Sequence, residues 1–321
     1  MSPLPAPAVL QAVLLATSAV VVLMLIALIA QRTLRRRHDR RDARLDARLR
    51  PLVLEATIAE DDEIDALLDR VRALSAPERA HVGRSASLML RDVTGEAADR
   101  LRAVADASGL VPRVIAAAAD RDPVRRADAA EALGLLAPAG ALELLQALAD
   151  DRSPEVRTVA VRALGAFDDP AAVDRVIAAL ALDSGIPISV AASALVQQGA
   201  AAGERVREAL DHPDAGVRRG AARVAGLIQA PGAGAPLARL IDDEHEAVGA
   251  AAMRSLERLP VREAVPSLLA TALAGGTAGE AAARTLAAMP AAWSADALAA
   301  IGAEGEPGVR RAAGLPRRAA A

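Results

Sequence analysis

Apolar residues recur along most of this chain every three or four positions, and the whole pattern recurs every thirty or thirty-one. Leu133, Leu164, Leu195, Ala225, Leu256 and Leu286 close successive apolar stripes at steps of 31, 31, 30, 31 and 30 residues. Val156, Val217, Val248 and Val309 mark an earlier position in the same register. The spacing within each stripe is that of one helical face. Each period therefore predicts a first helix, a short Gly/Pro/Asp turn and a second apolar helix. The second helices are expected over 142–148, 173–180, 206–210, 237–241 and 265–273. Ser153 to Gly165, SPEVRTVAVRALG, is the clearest first helix, with variants at 122–134 and 212–226. Asp122 and Ser153 stand where a cap is needed, and Pro123 and Pro154 occupy the first helical position. Gly134, Gly165 and Gly226 are expected to end the helix with positive φ. A two-helix unit cannot bury its apolar faces alone, so the units must stack.

The pattern differs before residue 110. Ala8 to Ala30 is an apolar run broken only by Gln11, Thr17 and Ser18. As a helix it would be about 34 Å long, enough to cross a bilayer core. No Arg precedes Arg32 and the run is long, so it predicts an uncleaved anchor in preference to a signal peptide. Arg32, Arg35, Arg36, Arg37, Arg40 and Arg41 follow at once and predict a cytoplasmic flank. They are also candidates for contact with anionic lipid. Between 53 and 109 three or four helices are predicted off the repeat register. Ser75 and Glu78 form a capping box there, and Gly95 and Gly109 punctuate. The expected organisation is a tail and single transmembrane helix over 1–31, a basic juxtamembrane arm over 32–52 and an N-terminal helical cap over 53–109. A repeat array over 110–315 and a disordered tail over 316–321 complete it.

Composition narrows the chemistry. Phe167 and Trp293 are the only aromatic residues, so the core must be Ala, Leu, Val and Ile. That suits closely packed helices and disfavours a sandwich or barrel. There is no Cys, which excludes disulfides, thiolate metal sites and Cys nucleophiles. All basic residues are Arg, which removes Lys-dependent chemistry. Residues 31–50 carry nine Arg and three Asp, a charge of +6, against −3 for the whole chain, so the remainder is −9. An acidic body without an aromatic stacking platform argues against nucleic-acid binding.

The phrase xPxVRxxAxxALG at a period of about 31 resembles the short bacterial HEAT-like repeats, of the type also found in phycobilisome lyases. The resemblance covers roughly Leu110 to Leu315. It implies an all-α, right-handed α-solenoid of helix pairs, used mostly to bind proteins, with a lyase branch that handles bilin chromophores. A span ahead of such repeats also looks like a group of membrane-anchored bacterial HEAT-repeat proteins. The third unit departs from the phrase, with Ile188 in place of its Arg. Gly249 and Gly279 replace that Arg in the fifth and sixth units.

Two arginine ladders are the candidate functional features. Arg126, Arg157 and Arg218 hold one repeat position and are expected to pack over the turn and pair with an acid. Arg162, Arg223, Arg254 and Arg284 hold another and form a possible partner-binding stripe, or a solvated face balanced by acids such as Glu257 and Glu263. His38, His81, His212 and His245 share no metal-ligand spacing. Asp242 to Glu246 reads as a solvated turn between repeats. Trp293 reads as a core residue of the terminal repeat. Neither a catalytic site, a metal nor a cofactor is expected. The favoured expectation is a single-pass inner-membrane scaffold, N-terminus outside and repeats in the cytoplasm, that binds a protein partner. A bilin lyase-like enzyme or subunit and an anionic-lipid-sensing module are the alternatives.

Overall fold

The structure is a computed structural model that describes residues 23–25, 31–32, 43–181 and 183–316. The predicted span falls mostly outside these residues. Leu23, Met24 and Leu25 are helical and exposed. Among the described residues no helix is long and apolar enough to cross a membrane. The described residues contain helices, turns and no strand. They form two compact units, one ending at Leu110 and the other beginning at Val111.

The first unit contains α1 (43–58), α2 (Asp61–Ala73), α3 (Ala76–Met89) and α4 (Glu96–Ala107). Leu52, Val53, Leu67, Val71, Val82, Ala86, Leu101 and Val104 are buried, at the helical spacing their positions predict. The α3 start is the expected capping box. The Glu78 carboxylate accepts from the Ser75 N–H at 3.0 Å and from its hydroxyl at 2.6 Å. These hydrogen bonds hold the Glu78 carboxyl below its usual range. Glu55–Arg70 at 2.7 Å ties α1 to α2, and Arg48–Glu78 at 2.9 Å ties α1 to α3.

After α5 (Leu110–Ala117) the second unit alternates strictly. The first helices are α6 (Pro123–Leu136), α8 (Pro154–Leu164), α10 (Ile188–Gln198), α12 (Ala215–Ile228), α14 (Glu246–Leu256), α16 (Gly276–Ala288) and α18 (Pro307–Ala312). Between them lie the second helices α7 (Ala141–Leu148), α9 (Pro170–Ala178), α11 (Gly203–Glu208), α13 (Gly234–Arg239), α15 (Val265–Ala274) and α17 (Ala291–Glu304). Each first helix packs on the next first helix. The second helices make the other layer, with α7 on α9, α9 on α11 and α15 on α17. The core lies between the layers. Leu133, Leu164, Leu195, Ala225, Leu256 and Leu286, the positions that define the period, are all completely buried. Leu145, Val176, Val206, Leu237, Leu268 and Ile301 of the second helices are completely buried as well. With small residues at most other buried positions, the helices can lie close together.

The glycine expectation is corrected. Gly134 and Gly226 lie inside α6 and α12, and Gly165 caps α8 in ordinary right-handed conformation with φ −60°. The left-handed stop comes three residues later, at Ala137 (φ 43°) and Gln229 (φ 51°). The glycines serve close approach instead. A Cβ on Gly134 would stand 2.8 Å from the Ala163 Cβ, one on Gly165 2.8 Å from the Ala194 Cα, and one on Gly226 2.5 Å from the Ser255 hydroxyl. In each case the obstructing residue belongs to the next first helix. The closing glycine is therefore a contact point between repeats.

Candidate functional site

The first ladder begins with Arg126 on α6. Its Nε and one terminal nitrogen donate to both Asp151 oxygens at 2.7 and 2.8 Å. Its other terminal nitrogen donates to the carbonyls of Asp120 and Arg121 at 2.9 and 3.1 Å. Arg218 on α12 repeats the arrangement three repeats further on. It reaches Asp243 at 2.8 and 3.1 Å and the carbonyls of His212 and Pro213 at 3.0 and 2.8 Å. In both cases the acid lies 25 residues after the arginine, in the turn before the next first helix. The acid also accepts the N–H two residues on, from Ser153 and His245 respectively. One planar guanidinium thus ties two consecutive inter-repeat turns together.

The charges respond to this pairing. Arg126 hydrogen bonds hold the Asp151 carboxyl below the usual aspartate range against partial burial. For Asp243 burial pushes upward most strongly, but Arg218 and the His245 N–H together outweigh it, and the net shift is downward. Each arginine is raised in turn, chiefly by its hydrogen bonds to the acid. Asp243 corrects the expectation of a solvated turn over 242–246, since its side chain is only 6% exposed. His245 beside it is exposed, with Nδ1 3.5 Å from Glu244. Ser153 is also corrected as a cap: its hydroxyl turns to Glu155 at 2.6 Å. Asp122 does cap, accepting from the Val124 N–H at 3.0 Å.

Arg157 is the unfinished member. One terminal nitrogen donates to the carbonyls of Asp151 and Arg152, as in the other two. Its Nε is buried with no hydrogen-bond partner among the described residues. Leu182 stands 25 residues on, where the acid belongs. Gly185 backs the guanidinium, at a position where a Cβ would come within 2.7 Å of it.

The second ladder contrasts with the first. Arg162, Arg223, Arg254 and Arg284 lie on α8, α12, α14 and α16, and all four are exposed. Among the described residues none of these guanidinium groups has an ion-pair or hydrogen-bond partner. Glu257 and Glu263, the acids that would have neutralised them, are exposed and do not pair with them. Ser193 holds the matching place on α10, so the row is interrupted once and then continuous over α12, α14 and α16. Several arginines of the other layer are paired. Arg175 reaches Asp150 at 2.5 Å, Arg205 reaches Glu208 at 3.2 Å and Arg239 reaches Asp211 at 3.0 Å.

Arg32 is helical and exposed, while Arg35, Arg36, Arg37, Arg40 and Arg41 lie outside the described residues. Among the described residues there is no cluster of three or more metal-ligating side chains. Trp293 is half-buried on α17. The staple acids Asp151 and Asp243 went unrecognised in the sequence. The signal that would have found them is an acid 25 residues after each phrase arginine.

The family described as HEAT repeats matches residues 111–196 and 203–278. No curated protein matches the chain. Among solved structures it is similar to YibA of Escherichia coli, at 17% identity and a TM-score of 0.42, over 82% of this chain and 94% of that one. It is also similar to human deoxyhypusine hydroxylase in complex with glycerol, at 21% identity and a TM-score of 0.30, over 82% and 96% of the two chains.

Proposed function

This chain belongs to the HEAT-repeat family, and from that premise we propose that it is a membrane-anchored scaffold whose repeat array binds a protein partner. The array winds as a right-handed α-solenoid. The apolar run 8–30 anchors it, and the arginines that follow hold the array on the cytoplasmic side. The reading is carried by one observation: the first-helix layer presents exposed arginines at a repeated position that, among the described residues, have no ion-pair or hydrogen-bond partner. A stacked array offers a long preformed surface, so a partner need not order it on binding. Exposed helical Leu23, Met24 and Leu25 are consistent with a lipid-facing segment.

Two experiments test this. The absence of Cys makes a single introduced Cys a clean topology reporter. Ser2→Cys should react with an impermeant maleimide in intact cells, and Ser189→Cys, exposed on α10, only after lysis. The reverse pattern would overturn the placement. Photo-crosslinking in native membranes from position 193 should yield one dominant protein adduct. Recovery of the chain with no adduct would count against the scaffold.

A further inference from the structure

We propose that Arg223, Arg254 and Arg284 form a docking row for an extended acidic protein segment that carries carboxylates at about every third residue. The proposal rests on the scaffold reading and specifies the partner's chemistry. The three arginines occupy equivalent positions on α12, α14 and α16, which pack in direct succession. Neighbouring helix axes lie about 8–10 Å apart. A chain in the extended polyproline II form advances about 3.1 Å per residue with three residues per turn, so every third side chain lies on one face and steps about 9 Å, the distance from one helix to the next. Carboxylates at positions i, i+3 and i+6 therefore meet the three guanidinium groups in turn, each of which can take a carboxylate by a bidentate fork.

Two features select this occupant. On α12, α14 and α16, among the described residues, Leu227 is the only large apolar side chain that is well exposed. That is too little for an amphipathic helix, which needs an apolar groove, so charge must carry recognition. The surface beside the row is also mixed in charge, with exposed Glu257 and Arg258 both about a helical turn from Arg254. An anionic bilayer favours a broad basic surface, and an acid beside the row opposes it.

Among the described residues the arginines are exposed and make no hydrogen bond or ion pair, so replacing them tests binding with little cost to the fold. The probe is a fluorescent ten-residue peptide with Glu at every third position, offered to the full chain in phosphatidylcholine nanodiscs. Its affinity should fall as NaCl rises. R223E/R254E/R284E should weaken it about 2- to 5-fold per arginine, or roughly 30-fold together. R223Q/R254Q/R284Q should lie between. R121E/R262E/R311E changes net charge equally but away from the row, and should leave binding within about twofold. Equal losses from the two charge-reversed triples would overturn the proposal. So would equal binding of a peptide with the same residues but clustered acids. Peptide binding that survives reversal of the row, with recruitment of phosphatidylserine vesicles lost instead, would reassign the row to lipid and overturn it too. Photo-crosslinking separates the two levels. A native adduct unchanged by R223E/R254E/R284E sinks the docking row and leaves the scaffold standing, whereas absence of any adduct sinks the scaffold.

Discussion

Replacing Arg218 by Met should be among the most damaging single changes in the second unit. The substitution keeps the aliphatic stem and removes the guanidinium. Four hydrogen bonds are lost, two to Asp243 and two to the carbonyls of His212 and Pro213. The carbonyls lie where water can replace the donor. Asp243 is worse placed, since its side chain is 6% exposed and keeps the His245 N–H, with the His245 Nδ1 3.6 Å away. Breaking a buried pair by removing one partner costs about 3–5 kcal/mol. The surviving N–H lowers that to about 2–4 kcal/mol. For a unit of this size each kcal/mol shifts Tm by about 2–4 °C, so a fall of roughly 5–12 °C is expected.

Arg157→Met supplies the comparison. Arg157 has the same clamp on two carbonyls and, among the described residues, no carboxylate, so its loss should cost about 1 kcal/mol. The pH dependence is a second check. In the native chain Asp243 titrates below the ordinary aspartate value. Its contribution is thus complete above about pH 4 and is lost as pH falls through the folded value. Without Arg218, burial dominates and Asp243 moves upward, so the charged form now opposes folding at neutral pH. The gap between native chain and variant should be widest at pH 7 and narrow below about pH 4. Thermal melts of the full chain followed by circular dichroism measure both, and hydrogen exchange should place the loss in α12 and α14. A variant no less stable than Arg157→Met, or a gap constant from pH 7 to pH 3, would refute the staple.

Other predictions concern the seams and caps. Gly226→Ala gains about 0.5–1 kcal/mol of helix propensity but forces a Cβ to within 2.7 Å of the Ser255 Cα. Overpacking costs about 1–3 kcal/mol, so the melt should show a net loss, and a rise in Tm would contradict the contact. Asp214→Ala removes the acceptor of the Val217 N–H at 2.9 Å and should cost about 1 kcal/mol. Ser153→Ala should cost clearly less in the same assay, because that hydroxyl faces Glu155. The double change Asp151→Asn with Asp243→Asn should flatten the acid side of the stability profile below about pH 4, measured by urea unfolding at stepped pH.

The period, the helix pairs and the buried set could be read from the residues alone. Helical geometry is local: positions three and four apart share a face whatever lies elsewhere, so Leu133, Leu164 and their successors declared the core before any contact was known. The capping box at Ser75 and the cap at Asp122 are equally local. The tertiary structure decided what depends on residues about 25 to 30 positions away. Gly134, Gly165 and Gly226 looked like helix stops because glycine commonly ends helices. Their actual partners, Ala163, Ala194 and Ser255, belong to the next repeat and leave no trace in the neighbouring sequence. The two arginine ladders were visible as ladders, and one was expected to find acids. Which acids answer, Asp151 and Asp243, follows from the stacking of turn on turn. Arg162, Arg223, Arg254 and Arg284 find no such partner among the described residues, which their sequence positions did not foretell. One residue type at one period is thus a structural tie at one helical position and a free charge at another, because only the packed array determines what stands opposite.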